Sequence, residues 1–300
     1  MRRTVALLAT GGALAALLSQ AATARQGHGL RLSLIDTAIL ASGRLTESSG
    51  IVPSAYRPGV FWTHNDSGDR PILYATDTTG ADLGSVRVAG AVNRDWEDLS
   101  AGPCFVAPGR CLYAGDIGDN SRRRHRIVIY RLSEPPPPMD ARIVDRPVPL
   151  LDSIVLRYPD HAHDAEGLAV TGDGRLLVAV KDLFGPAVLY TASATLPNQT
   201  LTRACTLALK VQPLRGRVVT GVALSPDGRI LAVRTYVSLH FFRADSACTP
   251  ITGPAGLPIP VVEPQGEAVT FDGPDRLVLT SERGDADYAP MTRLRVEGLP

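Results

Sequence analysis

Three segments of this chain repeat one short pattern. "DWEDLSAG" starts at Asp95, "DAEGLAVTG" at Asp164 and "QGEAVTFDG" at Gln265, each with Glu third, ahead of an apolar run. Two weaker copies, "ESSGIVPS" from Glu47 and "VVTGVALSPDG" from Val218, put Ser49 and Thr220 in the Glu position. A turn and a second apolar run follow each copy: "GVFWTHND", "CLYAGDIG", "RLLVAVKD", "RILAVRTY" and "RLVLTSER". A third run comes next, as in "ILYATDT" and "RIVIYRLSE", and a fourth after some copies, as in "LGSVRVAG", "SIVLRYP" and "CTLALKV". Short apolar and β-branched runs punctuated by Gly, Pro and Asp are strands. No segment past the N-terminus carries a long helical period.

A four-stranded unit repeated at this spacing predicts an all-β chain folded as a β-propeller. Five blades are visible, and residues 136–163 leave room for a sixth. The fifth unit runs out of chain after its third strand. The alternating run "LRLSLIDTAIL", residues 30–40, belongs to no unit of its own. It is predicted to supply the missing outer strand and close the ring, which removes exposed strand edges.

An apolar fraction of 44% and a charged fraction of 20% suffice for a globular core. A net charge of +1 argues against general affinity for nucleic acid or anionic membrane. Arg2 and Arg3, the run "VALLATGGALAALL" and the small-x-small site Ala22-Thr23-Ala24 read as an export signal over residues 1–24. A single propeller domain, residues 25–300, is then the mature, secreted and monomeric protein, with no membrane span. Export makes disulfides expected for the four cysteines. Three pairings are open; proximity favours Cys104–Cys111, around the turn-like "FVAPGR", and Cys205–Cys248.

In a propeller the start of the inner strand and the loop after the second strand share one face. Glu97, Glu166 and Glu267 are therefore expected to ring the channel mouth, with Ser49 and Thr220 in the other blades. Asp66 and Asp116 stand beside them in the loops "DSGD" and "DIGD", the second of which ends in Asp119. Lys181, Arg234 and Glu282 are expected at comparable places. Converging carboxylates in a partly dry site must protonate, pair or bind a cation. Hard oxygen donors suit Ca²⁺ or a similar divalent ion. The competing reading is structural: each acid makes an Asx turn or accepts backbone N–H groups, and Lys181 and Arg234 neutralise the rest. His64, Asn65, Trp96, Asn120 and His163 depart from the repeat near the same face. In "HAHD", His161 and His163 are two residues apart, the spacing of one strand face, and are candidates for zinc; His163 is also a candidate general base. There is no G-x-S-x-G, H-E-x-x-H, P-loop or dinucleotide motif.

The series "WTHNDSGD", "DWEDLSAGP", "LYAGDIGDN", "IYRLSEP" and "HDAEGLAV" resembles secreted bacterial β-propellers of the phytase-like (esterase-like phytase), SdiA-regulated and SMP-30-like groups. The likeness covers most of residues 45–190. It implies a divalent cation, Ca²⁺ first, at a hydrolytic site for phosphoesters or lactones. Glu97, Glu166, Asp66, Asp116 and Asp119 would then be ligands, with Glu166 or Glu97 as ligand or base. The chain departs from phytases in offering only scattered basic residues near that face, "RRRHR" (Arg122 to Arg126) excepted. The alternative is a non-catalytic propeller that binds a small-molecule or surface ligand, its acids structural.

Overall fold

The computed structural model describes residues 29–182, 185–209 and 218–300 and contains no helix among them. Its first strand, β1 (Arg31–Ile39), is set aside for the end of the ring. Blade 1 runs outward through β2 (Ser48–Pro53), β3 (Val60–Asn65), β4 (Ile72–Asp77) and β5 (Asp82–Ala89). Blade 2 is β6 (Trp96–Pro103), β7 (Arg110–Asp116), β8 (Ile127–Ser133) and, after β9 (Arg146–Pro149), β10 (Asp152–Arg157). Blade 3 is β11 (Ala165–Val170), β12 (Arg175–Val180), β13 (Val188–Ser193) and, after β14 (Asn198–Thr200), β15 (Thr202–Thr206). Blade 4 is β16 (Val219–Leu224), β17 (Ile230–Thr235), β18 (Ser238–Arg243) and β19 (Leu257–Pro258). Blade 5 is β20 (Gln265–Phe271), β21 (Arg276–Glu282) and β22 (Pro290–Glu297), completed by β1, which pairs antiparallel with β22 from Arg31↔Glu297 to Ile39↔Pro290.

The chain thus forms a five-bladed propeller closed by its N-terminal strand. The segment left open for a sixth blade is used otherwise. β9 adds to the edge of blade 1, parallel to β5, and β10 is the outer strand of blade 2. β14 adds to blade 2 in the same parallel manner.

Each sheet is sandwiched between two others, so its strands bury both faces and read as continuous apolar runs. Five apolar clusters fill the five gaps between blades. Trp62 and Leu73 meet Leu99 and Leu112 between blades 1 and 2. Ile129 and Ile154 meet Leu168 and Val178 between blades 2 and 3. Phe61 and Tyr74 meet Val278 and Met291 where blade 5 returns to blade 1. This closure carries the fold without any helix among the described residues.

Both favoured disulfides form. Cys104–Cys111, with Cα atoms 4.8 Å apart, closes the β6–β7 hairpin, and Cys205–Cys248, 6.2 Å apart, ties blade 3 to blade 4. No helix of the described residues is long and apolar enough to cross a membrane. Residues 1–24, expected to be an export signal, lie outside the described residues.

Candidate functional site

Every inner strand begins with a β-bulge. The pairing register skips Ser49 in β2, Glu97 in β6, Glu166 in β11 and Thr220 in β16, and it skips Glu267 with Ala268 in β20. A bulge leaves one residue unpaired and re-aims its side chain. The Glu position of the repeat is that unpaired residue, and this is why acids gather where buried strands begin.

The next residue is small in four blades: Gly50, Gly167, Gly221 and Ala268. A Cβ on Gly50 would lie 2.3 Å from the Leu99 nitrogen, and one on Gly167 would lie 2.8 Å from Val222 Cγ1. In blade 2 the same place holds Asp98, fully buried. Its Oδ1 accepts the N–H of Leu99 at 2.8 Å, and its Oδ2 accepts those of Leu168 at 2.8 Å and Val222 at 3.4 Å. Asp98 therefore fastens blades 2, 3 and 4 across the axis. Burial pushes its carboxyl well above the ordinary range, against those bonds.

The carboxylates meet beside this tie. Ligand oxygens of Asp66, Asp95 and Glu97 lie within 4.8 Å of one another, as do those of Glu97, Asp164 and Glu166. Glu97 belongs to both groups. Glu97 and Glu166 are each 2% exposed. Burial, then the neighbouring charges of Glu166, Asp66 and Asp95, raise Glu97 well above its usual value. Burial pushes Asp66 up to about 7, reinforced by Asp95 and Glu47, and raises Asp95 and Asp164 as well. Burial pushes Glu166 up to about 8, although Lys181 pulls it down through a 2.5 Å ion pair. For Lys181, burial works downward, but the Glu166 charge outweighs it and the ammonium is held above its ordinary value. Among the described residues that is the only ion pair to these five acids.

Gly118 backs directly onto the group. A Cβ there would sit 2.1 Å from Glu97 Oε1 and 2.6 Å from Asp95 Oδ2. Only the bare glycine of "DIGD" lets the loop approach so closely.

The other expected ligands are placed differently. Asp116 is ion-paired with Arg124 at 2.8 Å. Asp119 fastens its own loop: Oδ2 accepts the Arg124 N–H at 2.6 Å, Oδ1 accepts from Ser121 Oγ at 3.2 Å, and its own N–H donates to Asp164 Oδ1 at 2.8 Å. Glu267 feels the charge of Glu166, but Gln265 Nε2 donates to it at 3.0 Å and to Glu282 at 2.8 Å. Arg234 is not level with Lys181. It pairs opposite Gly221, the place His64 takes opposite Gly50, and ion-pairs with Glu263. Asn65 and Trp96 are scaffold: Asn65 Oδ1 accepts the N–H groups of Thr46 and Glu47 at 3.0 Å each, and Trp96 packs edge-on against His64. Burial holds His64 neutral, with its pKa near 4. Asn120 is exposed. His163 stands apart from the carboxylates, hydrogen-bonded to Asp160 and packed on Tyr158.

Asp95 and Asp164 were not singled out as ligands from the sequence, yet the signal was present. Both stand two residues before Glu, in "DWE" and "DAE", where blade 5 has Gln265 and blade 1 has Glu47. Arg124 is a further addition. It pairs with Asp116, donates to Gly118 O at 2.6 Å, and lines a pocket of about 510 Å³ with Arg94, Arg123, His125, Arg126 and Arg157. A basic pocket thus adjoins the acidic cluster.

No family model matches this sequence. No curated protein matches it. Solved structures resemble this chain in fold, two of them as follows. One is the PQQ-bound aldose sugar dehydrogenase of Streptomyces coelicolor, at 14% identity and a TM-score of 0.49, covering 89% of this chain and 98% of that one. The other is a gluconolactonase of Xanthomonas campestris, at 16% identity and a TM-score of 0.43, covering 79% of this chain and 68% of that one. At these values the likeness is one of architecture.

Proposed function

We propose that the channel mouth binds one Ca²⁺ or similar divalent cation and that the protein is a metal-dependent hydrolase of small anionic esters, phosphoesters before lactones. The carrying observation is the excess of buried carboxylates: five acids converge, and one ion pair, from Lys181, meets them. The donor set fits such an ion, because it is all hard oxygen and lies within 4.8 Å in two groups that share Glu97. Asp66, Asp95, Glu97, Asp164 and Glu166 would hold the cation, and Asp116, Asp119 and Glu267 lie around them as supports. Bound there, a divalent ion supplies positive charge that polarises a phosphoryl or carbonyl oxygen. The chain's own residues do the rest. Arg94, Arg123, Arg126 and Arg157 orient an anionic group by paired N–H donors. Glu97, buried where the two carboxylate groups meet, would serve as ligand or base. We further propose export after cleavage near Ala24 and action as a monomeric domain of residues 25–300.

The Lys181–Glu166 and Arg124–Asp116 pairs favour a second reading, in which the mouth is partly self-neutralised and the ion only fastens blades.

The deciding experiment is metal content with thermal unfolding in EDTA and in added Ca²⁺, on the wild type and on Glu97→Gln. A cation at about 100 times its Kd adds roughly 2.7 kcal/mol of stability. A bound ion whose melting shift is lost in Glu97→Gln supports the site and leads to a screen of phosphoesters against lactones. No ion and no shift would leave the acids as scaffold. A shift without turnover would leave the ion as a fastener.

A further inference from the structure

The crossover from blade 2 to blade 3 carries a second cluster of donors that the proposed hydrolytic site does not use. His163 Nε2 lies 3.0 and 3.1 Å from the two carboxylate oxygens of Asp160, and His161 Nδ1 lies 3.5 Å from Oδ2. One ligand atom from each residue lies within 4.8 Å of the others. Tyr190, on β13, brings its hydroxyl oxygen to 3.3 Å from His163 Nε2 and 3.4 Å from Asp160 Oδ2. Zinc bonds nitrogen and oxygen at about 2.0–2.2 Å, so neighbouring ligands around a tetrahedral ion stand roughly 3.3 Å apart. The observed separations bracket that edge length.

A hydrogen bond to Asp160 is enough to account for His163, whose side chain is 11% exposed. It does not account for His161. That side chain is 69% exposed, and no hydrogen bond from its ring is found among the described residues, yet the ring faces the same carboxylate, 4.2 Å from the His163 ring. The site opens on a cleft of about 100 Å³ lined by Tyr158, Asp160, His161, Arg124 and His125, which gives an ion a way in. Arg124, which lines the cleft, is committed to Asp116.

We propose that Asp160, His161 and His163, all on the blade 2–blade 3 crossover, form a zinc site open to water beside Tyr190 of β13. Two imidazole nitrogens select zinc over Ca²⁺, which takes oxygen donors, so the two sites are chemically separable. The crossover leads directly into Asp164 and Glu166, and the ion would fix the strand entry that presents them.

The test uses untagged full-length mature protein, stripped with chelator and titrated with Zn²⁺ alone against a chromophoric competitor. One equivalent should bind, undiminished by excess Ca²⁺ and undiminished in Glu166→Gln. His161→Ala, at an exposed position that leaves folding untouched, should weaken binding roughly tenfold or more, by analogy with losses at metal-site residues. Co²⁺ in place of zinc should give the intense visible bands of a four-coordinate site in the wild type and lose them in His161→Ala. Zinc affinity unchanged in His161→Ala would overturn the proposal. So would zinc displaced by Ca²⁺ and lost in Glu166→Gln, because that result puts the ion among the carboxylates. Absence of competitor-resistant binding would overturn it too. None of these outcomes depends on whether the channel mouth hydrolyses anything.

Discussion

Blades 4 and 5 and blades 1 to 3 use the same repeat to opposite ends. In blades 4 and 5 the acids have more protein partners, although Glu267 Oε2 is left without a hydrogen bond among the described residues. Arg234, wholly buried, ion-pairs with Glu263 and donates to the carbonyls of Ala268 and, at 2.8 Å, Thr280. Thr220 Oγ1 donates to Glu267 O at 3.0 Å, and Gln265 bridges Glu267 and Glu282. In blades 1 to 3 the equivalent places hold Glu47, Asp95 and Asp164, and the acids face one another. The lesson is that the repeat supplies the scaffold, and single departures from it decide which side of the channel keeps an uncompensated charge. Neutralisation costs a binding site; leaving it out costs stability unless a cation arrives.

Removing Arg234 breaks the neutralised half and should give the largest effect. Arg234→Met leaves Glu263 buried without its partner, and breaking a buried pair costs about 3–5 kcal/mol. Denaturant midpoints should show that loss, and Glu263→Gln in the same chain should recover part of it. Ca²⁺ affinity should stay within a factor of about two, because additivity holds for sites with no shared partner. A variant that lost stability and cation affinity together would join the two halves into one network.

The acidic half should reveal itself through pH once chelator removes any ion. Burial raises Glu97, and raises Asp66 to about 7 and Glu166 to about 8. Raised carboxyls contribute stability that is complete below their unfolded values near 4 and is lost as pH climbs through the folded values. Metal-free protein should therefore lose several kcal/mol between about pH 5 and about pH 8.5. A cation binds the ionised form, so Ca²⁺ should flatten or reverse that fall. Melting curves in EDTA and in Ca²⁺ across the range read the difference directly. A metal-free protein most stable at about pH 8.5 would mean the acids are already compensated by the chain.

Much of this was legible from residues. Apolar runs with turn residues between them gave the blades, because strands buried on both faces leave long apolar signatures. Leu30 to Leu40 gave the closing strand, because an alternating run without a unit needs an edge. Glu97 and Glu166 were placed by counting positions in the repeat. Asp98 was not, since its role depends on reaching two other inner strands, and distance across an axis leaves no trace in spacing. Arg234 was misplaced by two residues: it stands opposite Gly221 as Ala179 stands opposite Gly167, and spacing alone does not show which residue of a second strand faces the start of the first. The zinc candidate was visible as "HAHD", but its third donor, Asp160, was not counted with it, and Tyr190, beside the site, is distant in sequence and arrives only when blade 3 folds against the crossover.

Crowding the acidic cluster from behind is a gentler break. Gly118→Ala adds one methyl group against Glu97 and Asp95. Overpacking of this kind costs about 1–3 kcal/mol. Here the clash falls on the carboxylates, so Ca²⁺ affinity should drop more than stability in EDTA does. Equal losses in both would make Gly118 a packing position only.

The smallest structural effect should come from the basic pocket. Arg123 is exposed, and surface substitutions of this kind stay within about 0.5 kcal/mol. Arg123→Ala should therefore melt with the wild type. Its consequence should appear only when an anionic group is present. A guanidinium that grips phosphate binds ground state and transition state alike, so its loss raises KM and leaves kcat in place. Inorganic phosphate, as an inhibitor, should weaken in parallel, and added salt should narrow the gap between variant and wild type, as it does for any exposed charge. Lactone turnover, which presents no such anion, should not respond. If lactone and phosphoester kinetics moved together, the pocket would be acting through the fold of the "RRRHR" loop and its Arg124–Asp116 pair, and the acidic mouth would have to select its substrate without help from the arginines beside it.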